Sequence, residues 1–182
     1  MGSGPTEAFL WPVAGLSLAA AVSDLWRGRI YNWLTLPMIV AGFAFSCAKG
    51  GWAGAGASLA GAILGLALYG WMFWVGHLGG GDVKLLMALG AWGGPRYCAD
   101  VAVLSIVLGG LMAIALLAWK GALFGTLSKL FRFVRSVAVP GLELELPQAD
   151  RRHTMPYGVP IAAAAVWVAW ADPLQAWGLR PW

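Results

Sequence analysis

Two aspartates stand where paired-carboxylate chemistry is feasible. Asp24 ends the first apolar run, in Ala21-Val22-Ser23-Asp24-Leu25-Trp26-Arg27-Gly28-Arg29-Ile30-Tyr31-Asn32, and Asp82 follows Gly79-Gly80-Gly81 and precedes Val83-Lys84-Leu85. Two carboxylates that share a site cannot both ionise cheaply, so one keeps a proton while the other acts as a base. Such a pair can hydrolyse an amide with an activated water and needs neither a metal nor a covalent intermediate. Each Asp also has an ordinary reading: Asp24 as a solvated anion beside Arg27 or Arg29, Asp82 as the cap of a following helix. The glycines before Asp82 allow close backbone approach or a positive φ, which suits an extended peptide laid against the carboxylate. On that reading Gly81→Val blocks the site with little loss of thermal stability, and Gly93→Ala is mild.

The remaining polar residues fit other work. Glu7 and Asp172 fall at helix ends, Asp100 is placed to cap a helix, and Glu143, Glu145 and Asp150 belong to a polar loop. The only histidines are His77 and His153, and no Gly-x-Ser-x-Gly elbow exists, so a nucleophilic triad is poorly supported. Cys47 and Cys98 lack the short paired spacing of a zinc or redox site and read as membrane-core residues. No metal or cofactor is expected.

The elements that must position the aspartates follow from composition. Of 182 residues 60% are hydrophobic and 11% charged, with twelve Trp, too little polar surface to cover a soluble globule. This excludes a disordered chain, a basic nucleic-acid-binding domain and a disulfide scaffold, and indicates an all-α integral membrane protein. About 20 apolar helical residues cross a hydrocarbon core. Six runs qualify: Pro5 to Ser23, Trp33 to Ala48, Ala53 to Val75, a short one from Val83 to Gly94, Asp100 to Trp119, and Thr154 to Ala171. Met1-Gly2-Ser3-Gly4 reads as an expression scar, and no basic region marks the first run as a cleavable signal.

With the N-terminus outside, nine cations (Arg27, Arg29, Lys84, Lys120, Lys129, Arg132, Arg135, Arg151 and Arg152) face the cytoplasm and three (Lys49, Arg96 and Arg180) do not, as the positive-inside tendency requires. Both aspartates then lie at the cytoplasmic boundary, where two crossings close the gap between them. The linker 120–153 carries Phe124, Leu127, Leu130, Phe131 and Val134 at helical spacing opposite Lys129, Arg132 and Arg135, an interfacial helix that either tidies the linker or docks a partner.

Gly79-Gly80-Gly81-Asp82-Val83-Lys84-Leu85 resembles the GxGD signature of the type IV prepilin peptidases. Asp24 with Arg27, Arg29, Ile30 and Asn32 resembles that family's first catalytic Asp and its basic continuation, although Tyr31 stands where the family usually has Pro. Met155-Pro156-Tyr157-Gly158-Val159-Pro160 is similar to the Pro-aromatic-Gly element that opens its closing helix. The resemblance implies one membrane-embedded peptidase domain over 1–182, with Asp24 and Asp82 catalytic and Gly79, Gly80, Gly81, Lys84 and Asn32 in support. Lys84 serves as a positive-inside anchor or biases the charge of Asp82. The implied substrate is a prepilin or pseudopilin precursor, cut at the cytoplasmic face of the inner membrane. Larger, bifunctional members carry paired Cys motifs in the first loop and also N-methylate the product. No CxxC occurs here, so the chain looks like the peptidase-only Flp/Tad type or like the preflagellin peptidases. A proton-coupled transporter with paired carboxylates and a noncatalytic scaffold are the rival classes.

Overall fold

The computed structural model describes residues 7–76, 78–122, 124–128, 132, 135 and 156–171. His77, His153, Glu143, Glu145, Asp150, Asp172, Met155 and most of the expected interfacial helix lie outside them, as does the Met1–Gly4 segment. Among the described residues the chain is helical throughout, in the order α1 (Glu7–Arg27), α2 (Asn32–Trp74), α3 (Gly80–Trp119) and α4 (Gly158–Ala171). By length and apolarity α2 and α3 are each sufficient to cross a membrane.

At 43 and 40 residues, α2 and α3 are about twice as long as a bilayer crossing needs, and each is interrupted once. The break in α2 is at Gly51, whose φ of 55° and ψ of −137° leave the helical region; that in α3 is at Gly94, with φ 77° and ψ −176°. Pro95 follows Gly94 and has no N–H to offer the carbonyl four residues back, that of Ala91. Ser58 in α2 supplies the missing donor, its hydroxyl bonding Ala91 O at 2.7 Å, and Ser46 adds a second bond at 3.3 Å. The sequence-derived runs Trp33 to Ala48 and Ala53 to Val75 fall on opposite sides of Gly51. Val83 to Gly94 and Asp100 to Trp119 fall on opposite sides of the Gly94 to Pro95 step. Asp100, read as a helix cap, instead lies buried beyond the first turn of the resumed helix.

The Met1–Gly109 and Pro156–Trp182 stretches belong to one compact unit and Gly110–Met155 to another. In the first unit α1 packs against α4 through Val13, Leu16, Ser17 and Ala20 on one side and Ile161, Ala164, Ala165 and Val168 on the other. Alanines on α4 let the two backbones approach closely, the usual device where lipid removes the hydrophobic drive for helix association. Gly61 and Gly90 do the same for α2 and α3: a Cβ on either would collide with the other's carbonyl. Tyr97 ties α3 to α4 by donating its hydroxyl to Ala165 O at 2.7 Å, and Trp92 ties α3 to α2 through Met38 O at 2.8 Å. Cys98 is fully buried and Cys47 partly so.

The outer surface is apolar. Trp26, Trp33, Trp52, Trp74 and Trp119, all at helix ends or beside a break, are strongly exposed, the distribution expected of interfacial aromatic anchors. In the second unit residues 124–128 are helical, with Phe124 and Leu127 exposed.

Candidate active site

Asp24 is buried because it continues a buried stripe. Val13, Leu16, Ser17, Ala20 and Asp24 recur at three- and four-residue steps, so the carboxyl is the last member of the inward face of α1. Gly28 then ends the helix in the left-handed region, with φ 59° and its N–H on the Asp24 carbonyl at 2.8 Å. Asp82 has the mirror placement: Asp82, Leu85, Leu86 and Leu89 form a buried stripe on α3, and the carboxyl is its first member. Each carboxylate is thus carried inward by its helix and set at that helix's end.

The two sit in one cleft of about 240 Å³ lined by Asp24, Gly28, Arg29, Ile30, Gly79, Gly80, Gly81 and Asp82. Both carboxyls are less than a tenth exposed. Asp82 Oδ2 accepts the Gly79 N–H at 3.1 Å while the Asp82 N–H bonds Gly79 O at 3.1 Å, so Asp82 caps the helix start from its third residue and not from the N-cap position the sequence suggests, which Gly79 holds, and it does so from within the cleft. Asp24 Oδ2 accepts the Gly158 N–H at 2.7 Å from the start of α4. Arg27 donates to Tyr31 Oη at 3.1 Å and stacks its guanidinium 5.7 Å from the Tyr31 ring, away from a pairing role with Asp24.

The glycine run works differently from the sequence expectation. Positive φ occurs at Gly28, Gly51, Gly76, Gly94 and Gly121, and not at Gly79, Gly80 or Gly81. What Gly81 provides is contact: a Cβ there would stand 2.9 Å from Ile30 Cβ and 3.1 Å from Ile30 O. Lys84 and Asn32, 52 positions apart in sequence, meet directly, Nζ donating to Oδ1 at 2.8 Å.

Two residues of the site, named in the sequence only as part of a motif, have no site role assigned to them there. Ile30, 8% exposed, is wedged against Gly81 and also lies where a Cβ on Gly158 would come within 2.9 Å of its Cδ1. Gly158 has the same restriction toward Asp24, whose Oδ2 would be 2.8 Å from such a Cβ. The Pro-Tyr-Gly element is the signal for Gly158, and the motif that follows Asp24 the signal for Ile30; neither shows which side chain the residue packs against.

A second, apolar groove of about 570 Å³ shares Gly80 with the cleft and runs along Leu66, Ala67, Gly70, Trp74, Val83 and Met87 between α2 and α3. No group of three or more metal-ligating side chains occurs among the described residues.

Residues 11–114, which include both Asp24 and Asp82, match the type IV leader peptidase family. Curated relatives named prepilin leader peptidase/N-methyltransferase include that of Aeromonas hydrophila, 28% identical over 171 residues, covering 89% of this chain and 49% of the relative. That of Aeromonas salmonicida (strain A449) is 30% identical with the same coverage, and that of Burkholderia pseudomallei (strain K96243) is 34% identical over 128 residues, covering 65% of this chain and 40% of the relative. The chain spans about half the length of the first of these relatives. No solved structure matches it significantly. A match across more than half the chain that takes in both carboxylates of the cleft makes this protein a member of the type IV leader peptidase family.

Proposed function

We propose that the chain is a membrane-embedded aspartyl endopeptidase that removes the short basic leader from type IV prepilin or pseudopilin precursors. The observation that carries this is the cleft in which two buried carboxyls, set at helix ends, face a common space in a member of this family. One carboxylate takes a proton from water as the oxygen attacks the scissile carbonyl; the other, protonated, donates to the developing oxyanion. Collapse of the resulting diol breaks the C–N bond as the carboxylate that donated its proton takes one back from a diol hydroxyl, and the proton held by the base passes to the leaving nitrogen.

The reading includes six crossings, with the N-terminus outside and the cleft at the cytoplasmic boundary of the inner membrane. The breaks at Gly51 and Gly94 support it by dividing the two longest helices into three bilayer-length parts, 32–50, 52–74 and 95–119, and one shorter part, 80–93, and the exposed Trp residues support it by lying where interfaces would be. The whole chain acts as a single peptidase domain, with 120–153 as a cytoplasmic linker resting on the headgroups. A precursor with its leader in the cytoplasm and its apolar segment in the bilayer presents its bond at that depth. The groove sharing Gly80 with the cleft gives the apolar segment a lining.

Residues 28–31 are all that join α1 to α2, and the chain's two Cys form no CxxC. We therefore propose peptidase activity of the Flp/Tad kind without methyl transfer from that loop. The test is incubation of the purified protein in detergent with a prepilin, read by mass spectrometry. The parent yields a shortened pilin, and Asp24→Asn and Asp82→Asn each lower the rate by more than about a thousandfold with helical content unchanged. A transporter or scaffold yields no product, and turnover by either Asn variant near the parent rate removes the two-carboxylate mechanism.

A further inference from the structure

The turn that opens α4 is fixed from below by a hydroxyl cluster. Tyr157 donates its hydroxyl to the Ser105 carbonyl at 3.3 Å, and its ring lies so close over Gly109 that no side chain could stand there. The Tyr69 ring is 6.1 Å away, and the Tyr69 hydroxyl bonds the Ser105 side chain. The same turn starts the helix: Pro156 O accepts the Val159 N–H at 3.2 Å and Tyr157 O the Ile161 N–H at 3.3 Å. Between those carbonyls the Gly158 N–H is left to point outward, and it meets Asp24 Oδ2 at 2.7 Å. A side chain at 158 would push that oxygen away, so the contact depends on the residue being Gly.

We propose that Tyr157 is a positioning residue for the carboxylate pair: by anchoring this turn to α3 it holds the Gly158 N–H on Asp24, where that bond favours the ionised carboxylate against the burial that opposes it. The inference rests on the peptidase reading. A backbone N–H on a carboxylate favours its ionised form, so losing the bond makes ionisation require a higher pH. The other charged or titratable groups facing the pair are Arg29, lining the cleft from the connection between α1 and α2, and Tyr69, which with Tyr157 lies near enough to feel the charge of Asp82. Lys84 is turned to Asn32, and α4 carries no ionisable side chain from Gly158 to Ala171. The two Asp also act on each other, which is why the readout must separate one limb of the profile from the other.

The experiment is the pH dependence of prepilin cleavage by the purified full chain, with three changes. Tyr157→Ala releases the turn, Tyr157→Phe keeps the ring over Gly109 while removing the hydroxyl, and replacement of the 158 amide by an ester removes the N–H alone. The ester and Tyr157→Ala each move the same single limb of the kcat profile to higher pH by about one unit, the loss of one hydrogen bond to a charged group. KM is unchanged, and Tyr157→Phe moves the same limb less. The limb that moves identifies Asp24 as base if it is the acidic one and as acid if it is the alkaline one. Limbs that stay in place while thermal stability falls reduce Tyr157 to a packing residue and overturn the inference, as do shifts on different limbs for the ester and Tyr157→Ala. Absence of any product from the parent removes the peptidase reading and this inference together, an outcome distinct from either.

Discussion

Lys84 Nζ donates to Asn32 Oδ1 at 2.8 Å, joining the first turn of α3 to the first turn of α2 across 52 positions of sequence. Both residues flank the cleft: Asn32 starts the helix that follows Arg29 and Ile30, and Lys84 lies two positions past Asp82. Because Asn32 is exposed, water competes for both partners and the bond's share of stability is small. Lys84→Met and Asn32→Ala should each cost about 1 kcal/mol or less in stability. Their double variant should show a coupling of about 0.5 kcal/mol in thermal or denaturant melts. Additive single effects would show that Lys84 serves only as a cationic anchor.

Gly81→Val should abolish cleavage and also lower stability. The added side chain runs into the backbone and Cβ of Ile30, and overpacking of this kind costs about 1 to 3 kcal/mol. The sequence argument expected loss of activity with stability preserved, since it placed an approaching substrate where the structure has Ile30. It also took Gly93→Ala as a mild control, yet a Cβ at 93 would strike the ring of Tyr97, whose hydroxyl anchors α4. Gly56→Ala, with nothing within 4 Å, is the suitable control and should match the parent in both rate and melting temperature. A Gly81→Val protein that melts with the parent but fails to cleave would restore the substrate-approach reading.

Tyr31→Pro should be tolerated. Tyr31 has φ −81° and ψ 142°, within the range that a proline ring imposes, and stands just before the first residue of α2, where a missing N–H breaks no helical bond. Its side chain contributes only exposed contacts with Arg27 and Trp33. The variant should melt within about 1 kcal/mol of the parent and cleave at a similar rate. The departure from the family's usual Pro is thus one of residue type and leaves the loop geometry compatible; a large fall in melting temperature would contradict this.

What the sequence made legible was the family and the helical class, along with the two carboxyls that the fold brings together; what it hid was the packing. Asp24 and Asp82 stood out because a charge inside an apolar chain is costly and each adjoined a Gly or basic signal. The inward stripes that carry them, Val13 to Asp24 and Asp82 to Leu89, could not be read in advance. Helices that are apolar on every side show little periodic contrast, so burial is decided by small residues such as Gly61, Gly90 and Ala165 rather than by a hydrophobic face. Gly51 lies between two separately marked runs and Gly94 ends another, but the continuation of helical structure on both sides, with Ser58 serving the carbonyl that Pro95 abandons, required the fold. Ile30 and Gly158 entered the site for the same reason, since their importance lies in contacts made across the bundle.

Filling the groove beside the cleft should separate binding of the apolar segment from chemistry. Ala67 and Gly70 line that groove on α2, whereas the carboxyls lie beyond Gly80 in the cleft. A large side chain at 67 occupies volume in a groove whose lining includes neither Asp24 nor Asp82 and reaches the glycine turn at Gly80 alone. If the apolar segment of the precursor lies there, Ala67→Trp should raise KM for a full prepilin about tenfold, since a lost buried contact of this size costs about 1 to 2 kcal/mol. It should leave kcat near the parent value, and cleavage of a short soluble peptide spanning the scissile bond should be unaffected, because that substrate never enters the groove. Equal losses on both substrates would mean that the substitution distorts the cleft through Gly80. Parent-like KM on prepilin would assign the groove to lipid and leave the apolar segment to another face of the bundle.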